Sequence, residues 1–191
     1  MTAVSRQSVG TGWDAALSHG GPWTESDFNA LPDGLRAELH YGRLILTPSA
    51  TFGHGNVIRR ICAMFDLFVD DPDQVGQQTD VRLADGQVYF CPDFLVLREP
   101  GEGRPIAAAS VFIVGEVRSP GGGKEYTEKM SEYAAAGIPG YLIIRGTKAQ
   151  GYSAQYYLLR DGRYELVEKT DPGAILTITE PMAATLNLSR L

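Results

Sequence analysis

The sequence predicts a mixed α/β (α+β) fold in which a mixed sheet carries helices on both faces and antiparallel hairpins lie at its N- and C-terminal ends. Three observations lead there. Apolar residues over 54–69 recur at three- and four-residue steps, the stripe of an amphipathic helix that packs on a sheet. Two short, β-rich apolar runs, 93–97 and 111–117, read as buried central strands. The periodic segments then follow one another as helix, hairpin, helix, strands, helix, strand and hairpin, an order that needs helices on sheet faces.

Each element has its own local cause. Residues 1–22 are small, Gly-rich and without periodicity, so they read as a flexible arm before one domain spanning 23–191. Thr24 and Asp27 form a helix N-terminal capping pair, Phe28 and Leu31 supply an apolar face, and Pro32 ends a short helix. Residues 36–40 and 43–47 flank a Tyr41-Gly42 turn, which is a hairpin signal. After the long helix a strand is expected over 75–83, ahead of the two central strands. Beyond the Gly121-Gly122-Gly123 loop, 124–136 reads as a helix stopped by Gly137 and Pro139, with a buried strand over 141–144. Residues 152–159 and 163–169 around Asp161-Gly162 form a second hairpin, and 175–178 a last strand.

Composition narrows the function. With 191 residues, 43% hydrophobic and 21% charged, the chain can bury one substantial core. No apolar run approaches the ~18–20 residues of a membrane span, and the first residues lack the apolar centre of a secretory signal, so a cytoplasmic location without membrane contact is expected. Cys62 and Cys91 have neither the pairing nor the histidine spacing of a zinc site. The formal charge of −6 argues against tight, non-specific gripping of duplex DNA. It leaves room for carboxylates that hold a cation, which count as negative until metal binds.

The informative acids are Asp93, after Cys91-Pro92, and Glu116, inside a run ending Val117-Arg118-Ser119-Pro120. A carboxylate beside a buried strand is costly unless paired or coordinated, so two on neighbouring strands make a hard-cation site. Oxygen donors without nearby His or Cys favour Mg²⁺ or Mn²⁺. A plainer reading stays open, in which Asp93 caps a strand entry and Glu116 pairs with Arg118 or Lys129.

The segments 38–44 (ELHYGRL), Pro92-Asp93, 114–120 (VGEVRSP) and 129–139 (KMSEYAAAGIP) resemble, in this order, the Uma-two family of restriction-endonuclease-like proteins in the PD-(D/E)XK nuclease superfamily. The match runs over roughly residues 24–190, and ordered motifs are more specific than any single one. The resemblance implies a restriction-endonuclease-like core. It also implies that Asp93 and Glu116 are metal ligands, joined by the Val117 carbonyl, with Lys129 as the catalytic cation. The superfamily's usual lysine position, two residues after the second acid, is Arg118 here. An arginine cannot act as a base but can still stabilise phosphate charge, so Arg118 is given a supporting part. Glu38, matching an early acid that approaches the metal, and His54, opening the long helix, are the other supporting residues. Read locally, Glu38 is equally a charge pair on an exposed strand. Glu125 stands where the family usually has an aspartate.

The implied activity is Mg²⁺- or Mn²⁺-dependent hydrolysis of nucleic-acid phosphodiester bonds, with DNA as the expected partner and a homodimer as a natural way to cut both strands. No covalent intermediate is required, and Ser119 lacks a histidine partner within sequence reach. The alternative is a non-catalytic interaction module that retains the nuclease fold.

Overall fold

Local chemistry starts the chain as expected. In the computed structural model, which describes residues 18–32, 35–47, 49–118 and 125–191, Thr24 and Asp27 form a reciprocal capping box at the head of α1 (Glu25–Asn29). The arm expected over 1–22 (apart from 18–22), the glycine loop over 121–123 and Lys124 lie outside the described residues. Strand β1 (Ala37–His40) then pairs in register with β2 (Arg43–Leu46) across Tyr41 and Gly42. Both turn residues have positive φ, 46° and 79°, which matches the twist of a tight hairpin.

Thr51 caps helix α2 (Phe52–Phe65), whose Val57, Ile58, Ile61, Met64 and Phe65 are buried. The helix stops at Phe65, so the apolar residues 68 and 69 fall outside it. Next come β3 (Val75–Gln77) and β4 (Val81–Leu83). The single strand expected over 75–83 is thus two strands, and they enter different sheets. The break lies at Gln78, whose φ of 51° turns the chain out of extended geometry. Two short strands not foreseen, β5 (Val88–Phe90) and β7 (Ile106–Ala107), flank the expected β6 (Phe94–Leu97).

The remaining elements are β8 (Val111–Arg118), α3 (Glu125–Ala135), β9 (Gly140–Thr147), β10 (Gly151–Arg160), β11 (Arg163–Lys169), β12 (Ile175–Ile178) and β13 (Ala184–Asn187). The mixed sheet is β11-β10-β9-β8-β6-β3, with β8 and β9 its parallel pair, joined by the α3 crossover. A second sheet, β2-β1-β5-β4-β7, stands apart from it. The last expected strand, β12, pairs with β13 in a separate ribbon.

Two cores cover the two faces of the large sheet. Residues of α2 and of the β12–β13 ribbon pack with Phe94, Val96, Ile113 and Val117. On the other side, Tyr133 of α3 and strands β4, β5 and β7 pack with Leu95, Leu97, Val114, Tyr141 and Ile143. Helices therefore lie on both faces, as the apolar patterns require. Tyr133 and Tyr141 are fully buried in that second core, as expected of them. Among the described residues, no helix is long and apolar enough to cross a membrane.

The centre of this arrangement is a cross-strand contact. Phe94 of β6 lies opposite Gly115 of β8, and a Cβ at position 115 would fall inside the Phe94 ring. Gly115→Ala is therefore expected to lower the unfolding free energy by about 1–3 kcal/mol, read from urea denaturation. An unchanged midpoint would show that the ring moves aside freely.

Candidate active site

Strand register brings the two acids together. Phe94↔Gly115 is the first pair of the β6–β8 ladder, so one further step sets Asp93 opposite Glu116. The Val117 N–H donates to Asp93 Oδ2 at 2.7 Å, fixing that carboxylate against β8. Because side chains alternate along a strand, Val117 joins the α2 core while Glu116 faces the α3 side. Glu116 is 5% exposed.

Lys129 closes the cluster from α3. Its Nζ donates to Glu116 Oε1 at 3.1 Å and to Glu38 Oε1 at 2.8 Å, and it lies 5.4 Å from the centre of the Phe90 ring. Glu38, 8% exposed, belongs to a buried strand rather than an exposed one. It also accepts the Cys91 N–H at 3.0 Å. His54, near the start of α2, bonds Asp93 Oδ1 through Nε2 at 3.0 Å. Glu38, His54, Asp93, Glu116, Val117 and Lys129 thus line one cleft of about 640 Å³. Arg118, two residues past Glu116 on the same strand, does not line it. The side chain of Glu125 lies outside what is described. The plainer sequence reading holds in one respect, since Glu116 does pair with Lys129.

Neighbouring contacts went unnoticed in the sequence although their spacing marks them. His40 is two residues after Glu38, on the same strand face, and Glu132 is three after Lys129, on the same helix face. His40 Nε2 lies 3.6 Å from Glu132 Oε1, and the Tyr41 hydroxyl donates to Glu132 Oε2 at 3.1 Å. The Lys129–Glu38 ion pair and the contacts of His40 and Tyr41 with Glu132 therefore clamp the β1–β2 hairpin to α3. Arg36, Asp80 and Arg104 also line the cleft, with Arg104 3.7 Å from Asp80. They come from separate loops and carry no local motif.

Charge is unbalanced here. Among the described residues, Glu38, Asp80, Asp93, Glu116 and Glu128 line the cleft together with Arg36, Arg104 and Lys129. Burial, with the nearby Asp93 and Glu38 charges, outweighs Lys129 and pushes the Glu116 carboxyl up from 4.5 to about 7. Burial alone would lower the Lys129 ammonium, but Glu116 and Glu38 hold its pKa well above the ordinary lysine value. The two directions agree physically: one ammonium gains from two carboxylates, whereas each carboxylate shares one ammonium. The hydrogen bond to Asp93 raises the His54 pKa. Burial pushes both cysteine thiols up to about 12, so neither is an activated nucleophile.

The donor set fits a hard divalent cation of a particular kind. Among the described residues, no three His, Cys, Asp or Glu side chains stand at ligand spacing, so no closed protein cage exists. Two carboxylates with spare negative charge are instead what Mg²⁺ uses, since it keeps waters and substrate oxygens in its shell.

A mixed sheet with helices on both faces, bearing an acid at the entry of one central strand opposite an acid on its antiparallel neighbour, is the α+β arrangement expected of a restriction-endonuclease-like fold. The chain belongs to the Uma2 (Uma-two) family, described as "Putative restriction endonuclease", whose profile matches residues 25–189. It shares its fold with the crystal structure of a "putative nuclease belonging to DUF820" from Anabaena variabilis ATCC 29413, at a TM-score of 0.63 and 17% identity, over 89% of this chain and 93% of that one. No curated protein matches the chain.

The Glu116 shift has a sign that stability measurements can read. Its folded pKa lies above the unfolded value, so its contribution is full below about 4.5 and is lost as pH rises through about 7. Lys129 stays charged across that window. Relative to Glu116→Gln, wild type should lose up to about 3 kcal/mol between pH 4.5 and 8, measured by denaturant unfolding at each pH. Parallel stability curves for the two proteins would show that Glu116 ionises without cost.

Proposed function

We propose that this protein is a metal-dependent endonuclease that hydrolyses phosphodiester bonds in DNA, with Mg²⁺ or Mn²⁺ as its cofactor. The observation that carries the reading is the convergence of Asp93 from the entry of β6, Glu116 from β8 and Lys129 from α3 on one acidic cleft. Family membership supports the same class of chemistry.

Asp93 and Glu116, with the Val117 carbonyl, would hold the ion, which when bound lowers the pKa of a water and polarises a phosphate oxygen. The protein's own groups do the positioning. Val117 N–H and His54 keep the Asp93 carboxylate in place before any ligand arrives. Glu38 and Glu116 hold the Lys129 ammonium, whose third N–H remains for a phosphate oxygen as charge develops there. Arg118 keeps a supporting place at the end of β8. We place the protein in the cytoplasm, where its two free thiols stay reduced. A homodimer would supply two sites where both strands of a duplex are cut.

The alternative of a non-catalytic module draws on the Lys129 contacts, which tie up one oxygen each of Glu38 and Glu116 in a purely structural network. One pair of assays separates the two. With Mg²⁺ or Mn²⁺, wild type should nick supercoiled plasmid or cleave single-stranded or branched DNA. Asp93→Ala and Lys129→Met should each lose at least about 100-fold. Equal activity of Asp93→Ala removes the residue from the mechanism, and no Mn²⁺ binding by calorimetry removes the metal site.

A further inference from the structure

Acids dominate the cleft, but the part of it built by the open end of the β1–β2 hairpin is different. The hairpin ladder continues one pair beyond Ala37↔Leu46, because the Thr47 N–H donates to the Arg36 carbonyl at 2.9 Å. Side chains alternate along such a strand. Leu39 turns into the small core with Phe28 and Tyr89, whereas Arg36, Glu38 and His40, each two residues from the next, line the cleft. Thr47, opposite Arg36, lines it as well, and so do Ser49 and Thr51. Residues 45–51 contain no carboxylate, so around Arg36 this segment offers hydroxyls and no anion to pair with.

Arg36 is the cation that this arrangement leaves over. Lys129 is held by Glu38 and Glu116, and Arg104 lies 3.7 Å from Asp80. The Arg36 side chain has no hydrogen bond or ion pair among the described residues, although it is half-buried. Its charge is nevertheless felt inside the cleft: burial raises the pKa of Asp80 and of Cys91, and Arg36 is among the groups that oppose that rise. A guanidinium stays charged at every working pH, and moving it out of water is costly unless an acceptor replaces the water. Its planar fork matches two oxygens of one phosphate. Two residues of strand, about 6.7 Å, separate it from Glu38, whose carboxylate holds Lys129 at the ion site. An anion on Arg36 is therefore a neighbour of the one at the ion site, at the offset of a further group along a chain.

We propose that Arg36 binds the phosphate next to the one that is cleaved, so that the cleft takes a strand with at least two phosphates rather than a lone nucleotide. The inference rests on the nuclease reading for the chemistry at the floor, but it concerns binding and is read without cleavage.

The test uses the full-length protein in Ca²⁺, a hard cation of the same oxygen preference. Fluorescence anisotropy follows labelled DNA oligonucleotides, single-stranded and duplex, over a series of salt concentrations. Cleavage in Mg²⁺ is followed in parallel on gels. Arg36→Ala should lose roughly tenfold of affinity at low salt for the form that wild type prefers. Its plot of log affinity against log salt should flatten by about 0.7 for a single strand or about 0.9 for a duplex, the change that one lost phosphate contact produces. Arg36→Lys should keep the slope but regain only part of the affinity, since an ammonium retains the charge without the fork. Arg163→Ala removes the same charge from β11, at the far edge of the large sheet, and should alter neither quantity. As competitors, a 5′-phosphorylated dinucleotide should displace the labelled DNA from wild type at least about tenfold better than a mononucleotide, and Arg36→Ala should abolish that advantage. Absence of binding by wild type, an Arg36→Ala loss that is missing or leaves the slope unchanged, an equal loss in Arg163→Ala, or no dinucleotide advantage overturns the proposal. Arg36-dependent binding without any cleavage would defeat the nuclease reading alone, and cleavage that Arg36→Ala leaves intact would defeat this inference alone.

Discussion

The contact on which the rest of the site depends is the Lys129 ammonium held between Glu38 and Glu116. It ties α3 to β1 in the smaller sheet and to β8 in the larger one. Taking an ammonium out of water is costly, and two carboxylates within hydrogen-bond distance are what outweigh that cost. The balance is asymmetric, because one positive charge serves Glu38 and Glu116 while Asp93 adds a third carboxylate nearby. The cluster holds the two sheets together and remains negative after its internal pairing is complete.

That pairing also fixes geometry. Glu38 accepts from Lys129 and from the Cys91 backbone, so β1 is anchored to α3 and to the link between β5 and β6. His40 and Tyr41 hold Glu132 one helical turn further along, which stops the hairpin from pivoting about the first contact. Asp93 is held by a backbone N–H on one oxygen and by His54 on the other. Donors and acceptors set in place in advance need little reorganisation when charge develops, and in a partly water-excluded cleft their effect on that charge is large.

How much of this was legible follows from where each signal resides. Asp93 and Glu116 stood out because each adjoins a run of buried apolar residues, whereas Lys129 stood out through its place in a motif that resembles the Uma2 family and not through any local pattern. The two-sheet layout could not. Gln78 diverts the chain with a positive φ at a residue type that does not advertise it, so β3 and β4 looked continuous. Strands β5, β7 and β13 are four residues or shorter, too brief for a period to register. Glu38, read locally as a charge pair on an exposed hairpin strand, is instead buried with its carboxylate between the Lys129 ammonium and the Cys91 backbone, a tertiary arrangement no local pattern marks. Arg36, Asp80 and Arg104 meet through tertiary structure alone.

The excess of carboxylate at the cleft floor bears on the order of events in the proposed reading. A phosphodiester is itself an anion, so the floor with Lys129 already engaged repels it, and a divalent cation is needed for attraction as well as for chemistry. Attraction that comes from one bound ion and a few side chains acts over a short range, because salt screens it within about 8–10 Å.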